Sequence, residues 1–185
     1  ATSGYAYAGK RIDTTATVQQ LTAQLPGLTA VIGVGKVPDT LSWEELTAAV
    51  APLEFAPLPF DHPVYILYSS GTTGPPKGIV HGAGGTLLQH LKEHLLHTDL
   101  HRDDRLFYFT TCGWMMWNWL VSGLASGATL VLYDGSPTHP DPEALWRLAG
   151  EERITVFGTS PRYLAGLAKA GARPRDRIAL PALRT

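Results

Sequence analysis

The sequence predicts an α/β fold, with a mainly parallel β-sheet covered by helices on both faces, and two observations predict it. Short apolar runs recur at LTAVIGV (28–34), VYILY (64–68), RLFYF (105–109), ATLVLY (128–133) and ITVFG (154–158). Stretches with helical spacing fill most of the intervals between them. Strands alternating with helices of this length belong to sheets whose crossovers bring the helices back over the faces.

The elements follow in order. Thr15 to Leu25 has helical spacing, and Ser42 with Glu45 forms a capping box in which each side chain can satisfy the other's backbone amide. The proline-rich APLEFAPLPFDHP (51–63) interrupts the alternation and reads as an extended connector. Helical spacing returns at Gly84 to His97, Trp114 to Leu124, Pro142 to Gly150 and Pro161 to Ala170, and no internal repeat is visible. ATSGYAYAGKR opens without a cap or an obvious first strand, and DRIALPALRT stops on what reads as the start of another strand. Residues 1–185 are therefore expected to form part of a larger domain that packs against more of its own chain.

Composition narrows the function classes. A formal net charge of -1 gives no general attraction to nucleic acid or anionic membrane. Charged residues make up 17% of the chain, below the ~25% usual for soluble domains, which predicts that part of the surface is covered. Cys112 is the one cysteine, so there is no internal disulfide and a reducing compartment fits. No signal peptide and no apolar run of ~18 residues is present, and a cytoplasmic location is expected.

The segment YSSGTTGPPKG (68–78) carries the chemistry. It leaves the end of the VYILY run, and ligands of parallel sheets sit beyond the carboxyl ends of strands. Gly71 and Gly74 allow backbone angles that aim several amides at one anion. Ser69, Ser70, Thr72 and Thr73 add hydroxyl donors, Lys77 adds a positive charge, and Pro75 and Pro76 stiffen the approach to it. This is not the P-loop G-x-x-x-x-G-K-S/T: Pro76 stands where that pattern needs glycine, and Gly78 where it needs Ser or Thr.

SSGTTGPPKG resembles the phosphate-binding motif of the adenylate-forming superfamily, close to S/T-S-G-S/T-T-G-x-P-K-G, at every position from Ser69 to Gly78. Together with GIVHGAGG, FYFTTCGWMMWNWLVSGLASGATLVLYDGSP and ITVFGTSPRYLAGL, the sequence over about residues 40–170 is similar to the acetoacetyl-CoA synthetase branch of that superfamily. The resemblance implies part of the large N-terminal domain of an enzyme that joins a short carboxylic acid to coenzyme A. ATP, Mg2+ and coenzyme A are its implied ligands, and acyl-adenylate its intermediate. Ser69, Ser70, Gly71, Thr72, Thr73, Gly74 and Lys77 would hold the phosphates. Trp114, Met116, Ser126, Gly158, Thr159 and Ser160 would line the acyl and coenzyme A pocket. No catalytic residue falls within these residues, because the family's catalytic lysine belongs to a small C-terminal domain.

Other features have plainer readings. Met115, Met116, Trp117 and Trp119 have the spacing of a helix core, whereas Trp114, at a strand-to-helix junction, can close an acyl pocket against long chains. Cys112 reads as a small buried packing residue. Ser160 and Pro161 suit an N-cap and first helical position. His90, Glu93 and His94 match the inverted zinc-protease pattern H-x-x-E-H, but Leu87, Leu88, Leu91 and Leu95 are expected to form the buried stripe of that helix, leaving the histidines on its flank. A metal site is not expected. A non-catalytic nucleotide-binding module is the other alternative.

Overall fold

Leu106 and Phe107 are adjacent residues of one strand, and both are 0% exposed. Successive side chains of a strand point to opposite faces, so both faces of this strand are covered. The structure is a computed structural model that describes residues 1–69 and 74–185, in two units, Ala1–Ala56 and Pro57–Thr185.

The first unit opens with a hairpin of β1 (Gly4–Tyr7) and β2 (Lys10–Asp13). Its two-residue turn places Ala8 and Gly9 at φ 49° and 76°. Positive φ at both turn positions matches the twist of the strands, which is why so short a turn can join them. The sequence had shown no first strand here, because Ala-Gly lacks the Asn or Asp that advertises such a turn. Helix α1 (Thr15–Gln24) follows. β3 (Ile32–Gly33) and β4 (Leu41–Ser42) pair in parallel, and α2 (Trp43–Thr47) starts at the predicted cap, where Ser42 Oγ accepts from the Glu45 N–H at 3.2 Å. The reciprocal half of the box is absent: Ser42 donates instead to Glu44, at 3.0 Å.

The second unit begins within the proline-rich connector. The carbonyls of Phe60 and His62 accept from the Gly84 and Ala83 N–H groups, capping the start of α3 (Ala83–Lys92). β5 (Pro63–Tyr68) and β6 (Gly78–Gly82) run antiparallel. This departs from the expected parallel arrangement because the stretch joining them is too short for the crossover of a dozen or more residues that a parallel pair needs. A parallel sheet with order β8-β7-β9 comprises β7 (Arg105–Tyr108), β8 (Thr129–Val131) and β9 (Val156–Gly158). Helix α4 (Met115–Ser122) covers one face, with Leu120 packed among Leu100, Leu106, Ala128 and Val156. Helices α5 (Ala144–Glu151) and α6 (Pro161–Lys169) cover the other, where Leu145, Ala149, Tyr163 and Leu167 pack on Phe107 and Val131. The expected α/β architecture, with a parallel sheet covered on both faces, is therefore present.

The amino end of the sheet is tied by Asp104. Its carboxylate accepts from the His101 N–H at 2.7 Å, the Thr155 hydroxyl at 2.7 Å and Arg184 at 2.8 Å. Burial works against the charge, but these donors together hold the carboxyl below its ordinary range. The final residues lie beside β9 without forming a strand: Phe157 N–H donates to the Thr185 carbonyl, and Arg184 N–H to that of Thr155. No helix among the described residues is long and apolar enough to cross a membrane.

Helix α3 widens into a π-turn at Glu93–His97, and this turn carries the fully buried His94. Its Nε2 lies 3.0 Å from the Trp119 carbonyl and 2.9 Å from Ser122 Oγ. Ser122 donates its own proton to that carbonyl at 2.7 Å. Neither acceptor can supply the proton, so His94 donates it from Nε2. Burial is the main cause holding the His94 imidazole below its ordinary value of 6.5. The folded state therefore favours neutral His94, and its contribution to stability is complete above 6.5 and lost as pH falls below it. The urea midpoint of the wild type is expected to drop between pH 7.5 and pH 5.5. His94→Gln keeps a donor without a titrating group, and its midpoint should drop less; equal drops would remove His94 as the cause.

Candidate functional site

The YSSGTTGPPKG segment is closed at its neck as a hairpin. Tyr68 pairs with Gly78, and beyond that pair the Ser69 N–H donates to the Lys77 carbonyl at 3.0 Å while the Lys77 N–H donates to Ser69 Oγ at 3.3 Å. Ser69 is thus partly used in holding the neck, although its hydroxyl proton remains free to donate. Lys77 is exposed. Gly74 has φ +153°, which side-chain-bearing residues rarely adopt. Ser70, Gly71, Thr72 and Thr73 lie outside the described residues. Among the described residues the segment leads directly into a strand, β6, and not into a helix.

A second group gathers at the carboxyl ends of β7 and β9 around Tyr108. A Cβ on Gly158 would overlap the Tyr108 ring, so glycine is required by this close approach. The Tyr108 ring lies 6.1 Å from that of Trp114 and 5.9 Å from that of Trp119. Trp114 is the extended residue before α4 and is 48% exposed. Met116, the second residue of that helix, is half-buried. After β9, the Thr159 hydroxyl oxygen is buried without a partner among the described residues, whereas Ser160 Oγ caps α6 by accepting from the Tyr163 N–H at 3.2 Å.

Ser126 does not join this group. It lies before β8, whose first residue, Thr129, pairs with Arg105, the first residue of β7. That parallel register puts Ser126 at the amino end of the sheet, opposite Gly158 and Trp114. Its hydroxyl is already spent on the Gly123 carbonyl at 2.7 Å. Cys112 is exposed in the β7–α4 turn, not buried as the sequence suggested.

The histidine edge of α3 inverts the sequence reading. His94 is the buried residue, and Leu87, Leu88 and Leu95 are exposed. The polar edge can face inward because α4 offers it the Trp119 carbonyl and Ser122. The H-x-x-E-H arrangement is correspondingly split: His94 points to α4, while Glu93 pairs with Lys92 at 3.2 Å and accepts from Gln89 at 2.9 Å. Among the described residues no three His, Cys, Asp or Glu side chains come together as a metal would require.

Between the β5–β6 hairpin and helices α3 and α4 lies a cavity of about 430 Å³, within the usual size of small-molecule sites. Leu67, Val80 and Met115 supply apolar wall, and His81, His90 and Asn118 polar wall. His90 Nδ1 is buried without a partner. Burial chiefly, and the neighbouring His81 next, hold the His90 ring below its ordinary value, so it is neutral near pH 7. Sequence reasoning missed Tyr108 and this cavity, because no local pattern reports which helix meets a hairpin face. The one available signal was that His81, His90 and Asn118 are polar residues inside otherwise apolar elements.

A family model described as AMP-binding enzyme matches residues 7–185. An acetoacetyl-coenzyme A synthetase of Rhizobium meliloti (strain 1021) is 51% identical over 191 aligned positions, covering 98% of this chain and 29% of the relative. An acetoacetyl-CoA synthetase of Gallus gallus is 50% identical, covering 83% of this chain and 24% of its own. A malonamoyl-CoA synthetase of Penicillium aethiopicum is 55% identical over 134 residues, covering 67% of this chain and 18% of its own. The solved acetoacetyl-CoA synthetase from Streptomyces lividans superposes with a TM-score of 0.93 at 50% identity, covering 98% of this chain and 29% of that one. This chain thus spans less than a third of the length of these relatives. With the glycine- and hydroxyl-rich loop in its hairpin, a parallel sheet whose carboxyl ends gather Tyr108, Trp114 and Gly158, and a family match over nearly all of its residues, the chain belongs to the AMP-binding enzyme family.

Proposed function

We propose that these residues form part of the large N-terminal domain of an acid–thiol ligase that activates a short carboxylic acid carrying a carbonyl on its β carbon, with acetoacetate as the leading substrate. The observation that carries this reading is the hairpin neck, which presents Lys77 at the exit of a Ser/Thr/Gly loop. The choice of acid draws on chemistry that the relatives' names share, since acetoacetyl and malonamoyl groups both bear a β-carbonyl.

In the first half-reaction a carboxylate oxygen attacks the α-phosphorus of ATP, an acyl-adenylate forms and pyrophosphate leaves. Negative charge accumulates on the β- and γ-phosphates as the bond breaks. Ser69, Ser70, Gly71, Thr72, Thr73, Gly74 and Lys77 act there, through amides and hydroxyls set in advance and one fixed cation. Residues 63–82 contain no carboxylate, so any Mg2+ bound with the nucleotide would take its protein ligands from elsewhere, where it would offset the phosphate charge. In the second half-reaction the thiol sulfur of coenzyme A attacks the acyl carbon, AMP leaves and the thiol proton is given up. Trp114, Met116, Gly158, Thr159 and Ser160 flank that acyl group, while Ser126 stands apart. The chain alone does not complete the reaction; the catalytic lysine belongs to a small C-terminal domain of the full-length protein, which works in the cytoplasm.

Lys77→Ala in the full-length enzyme is expected to slow acid-dependent pyrophosphate release roughly 10²–10³-fold, the scale for removing one preorganised charge contact. Thioester formation from supplied acyl-adenylate and coenzyme A should be nearly unchanged, because no triphosphate is left to hold. Equal losses in both steps would mean that Lys77 does not grip pyrophosphate.

Trp114 gives a separate expectation. Pyrophosphate release should occur with four-carbon acids and be negligible with dodecanoate, and Trp114→Gly should raise the dodecanoate rate. A wild-type enzyme that turns over both acids equally would refute a pocket closed by Trp114.

A further inference from the structure

Resting on that reading of the substrate, we propose that His90 and Asn118 select the acid by donating hydrogen bonds to the oxygen on its β carbon, so that the cavity between the β5–β6 hairpin, α3 and α4 is the acyl-recognition site. The position of the cavity fits an acid whose carboxylate meets ATP at the loop. Leu67 stands two residues before Ser69, Val80 three after Lys77, and Met115 directly after Trp114. At about 3.3 Å per strand residue, the walls therefore begin within roughly 7–10 Å of the loop neck. A four-carbon acid extended from the α-phosphate can enter them.

The lining suits a carbonyl and not an ion. Leu67, Val80 and Met115 accommodate the carbon chain, while His90 and Asn118, with Thr86, Gln89 and His81 nearby in the lining, supply polar contact. A neutral imidazole carries one N–H donor and an amide two, and a ketone or amide oxygen has two lone pairs to receive them. His90 Nδ1 is shut off from the cavity and makes no hydrogen bond among the described residues, so the ring nitrogen that would donate to a ligand is Nε2. His90 stays neutral because burial, and then His81 across from it on β6, disfavour its charge, against a weaker opposite pull from Glu93 on its own helix. No ionisable residue of α4 lines the cavity.

Butyrate has the same chain length as acetoacetate but no β oxygen. Binding it would bury both donors without an acceptor, and sites built around a hydrogen bond reject analogues that lack it far more strongly than apolar pockets reject a change of size. His90 and Asn118 would thus be specificity residues that leave the adenylation chemistry itself alone.

The test measures kcat/KM for pyrophosphate release by the full-length enzyme with acetoacetate and with butyrate. The wild type is expected to prefer acetoacetate by about 100-fold or more. His90→Leu and Asn118→Leu should each lower kcat/KM for acetoacetate while leaving butyrate unchanged or improved, bringing the ratio towards one. His90→Gln, which keeps a donor, should retain part of the preference. A wild type that uses butyrate as well as acetoacetate overturns the proposal without any variant, and so does a ratio that survives both leucine substitutions. Should the wild type release pyrophosphate with no short acid at all, the underlying functional reading fails, and this assignment with it; activity on acetoacetate with an unaltered ratio would sink the assignment alone.

Discussion

Burial of Leu106 and Phe107 on opposite faces of β7 is the constraint on which the second unit is built. A strand covered on both faces needs helices above and below, and parallel neighbours on each side require crossovers long enough to hold them. Helix α4 meets Leu106 and Val156 on one face, and helices α5 and α6 meet Phe107 and Val131 on the other. Removing a buried Phe of this kind costs on the order of 3–5 kcal/mol, a large part of a domain's net stability. With both faces and both edges occupied, the ends of β7 are what remain open. The amino end is closed by Asp104 with Thr155 and Arg184, and the carboxyl end carries Tyr108, Trp114 and Gly158.

The coupling between α3 and α4 rests on one buried imidazole. His94 meets the carbonyl of Trp119 and the hydroxyl of Ser122, so α3 and α4 are joined by hydrogen bonds as well as packing. The π-turn over Glu93–His97 accommodates this, since an extra residue in the turn rotates the side chains that follow. The same helix edge that buries His94 carries His90 to the cavity. Within the residues described, His94 is fully buried, His90 and Leu91 are half-buried, and Leu87, Leu88 and Leu95 are exposed.

The segment between β5 and β6 differs in its setting from the loop-to-helix arrangement of other phosphate sites. Where a helix follows, its dipole and first free amides supply part of the attraction. Here a strand follows, and its pairing with β5 fixes both ends of the segment to each other.

The sequence by itself determined much of the local structure. Apolar runs marked β5, β7, β8 and β9, helical spacing marked α1 and α3 to α6, and Ser42 and Ser160 act as the caps their positions implied. These features depend on residues a few positions apart, so they can be read along the chain. Tertiary structure alone decided that β5 and β6 pair antiparallel, that Ala8 and Gly9 turn a hairpin, that Cys112 is exposed, and that Ser126 sits at the far end of the sheet from Gly158. It also decided which edge of α3 is buried. Periodicity along α3 favoured the leucines, but burial is set by the partner, and α4 offers a carbonyl and a hydroxyl that only a histidine edge could meet. Such pairings join residues dozens of positions apart, so neither side of the contact carries a local trace of the other.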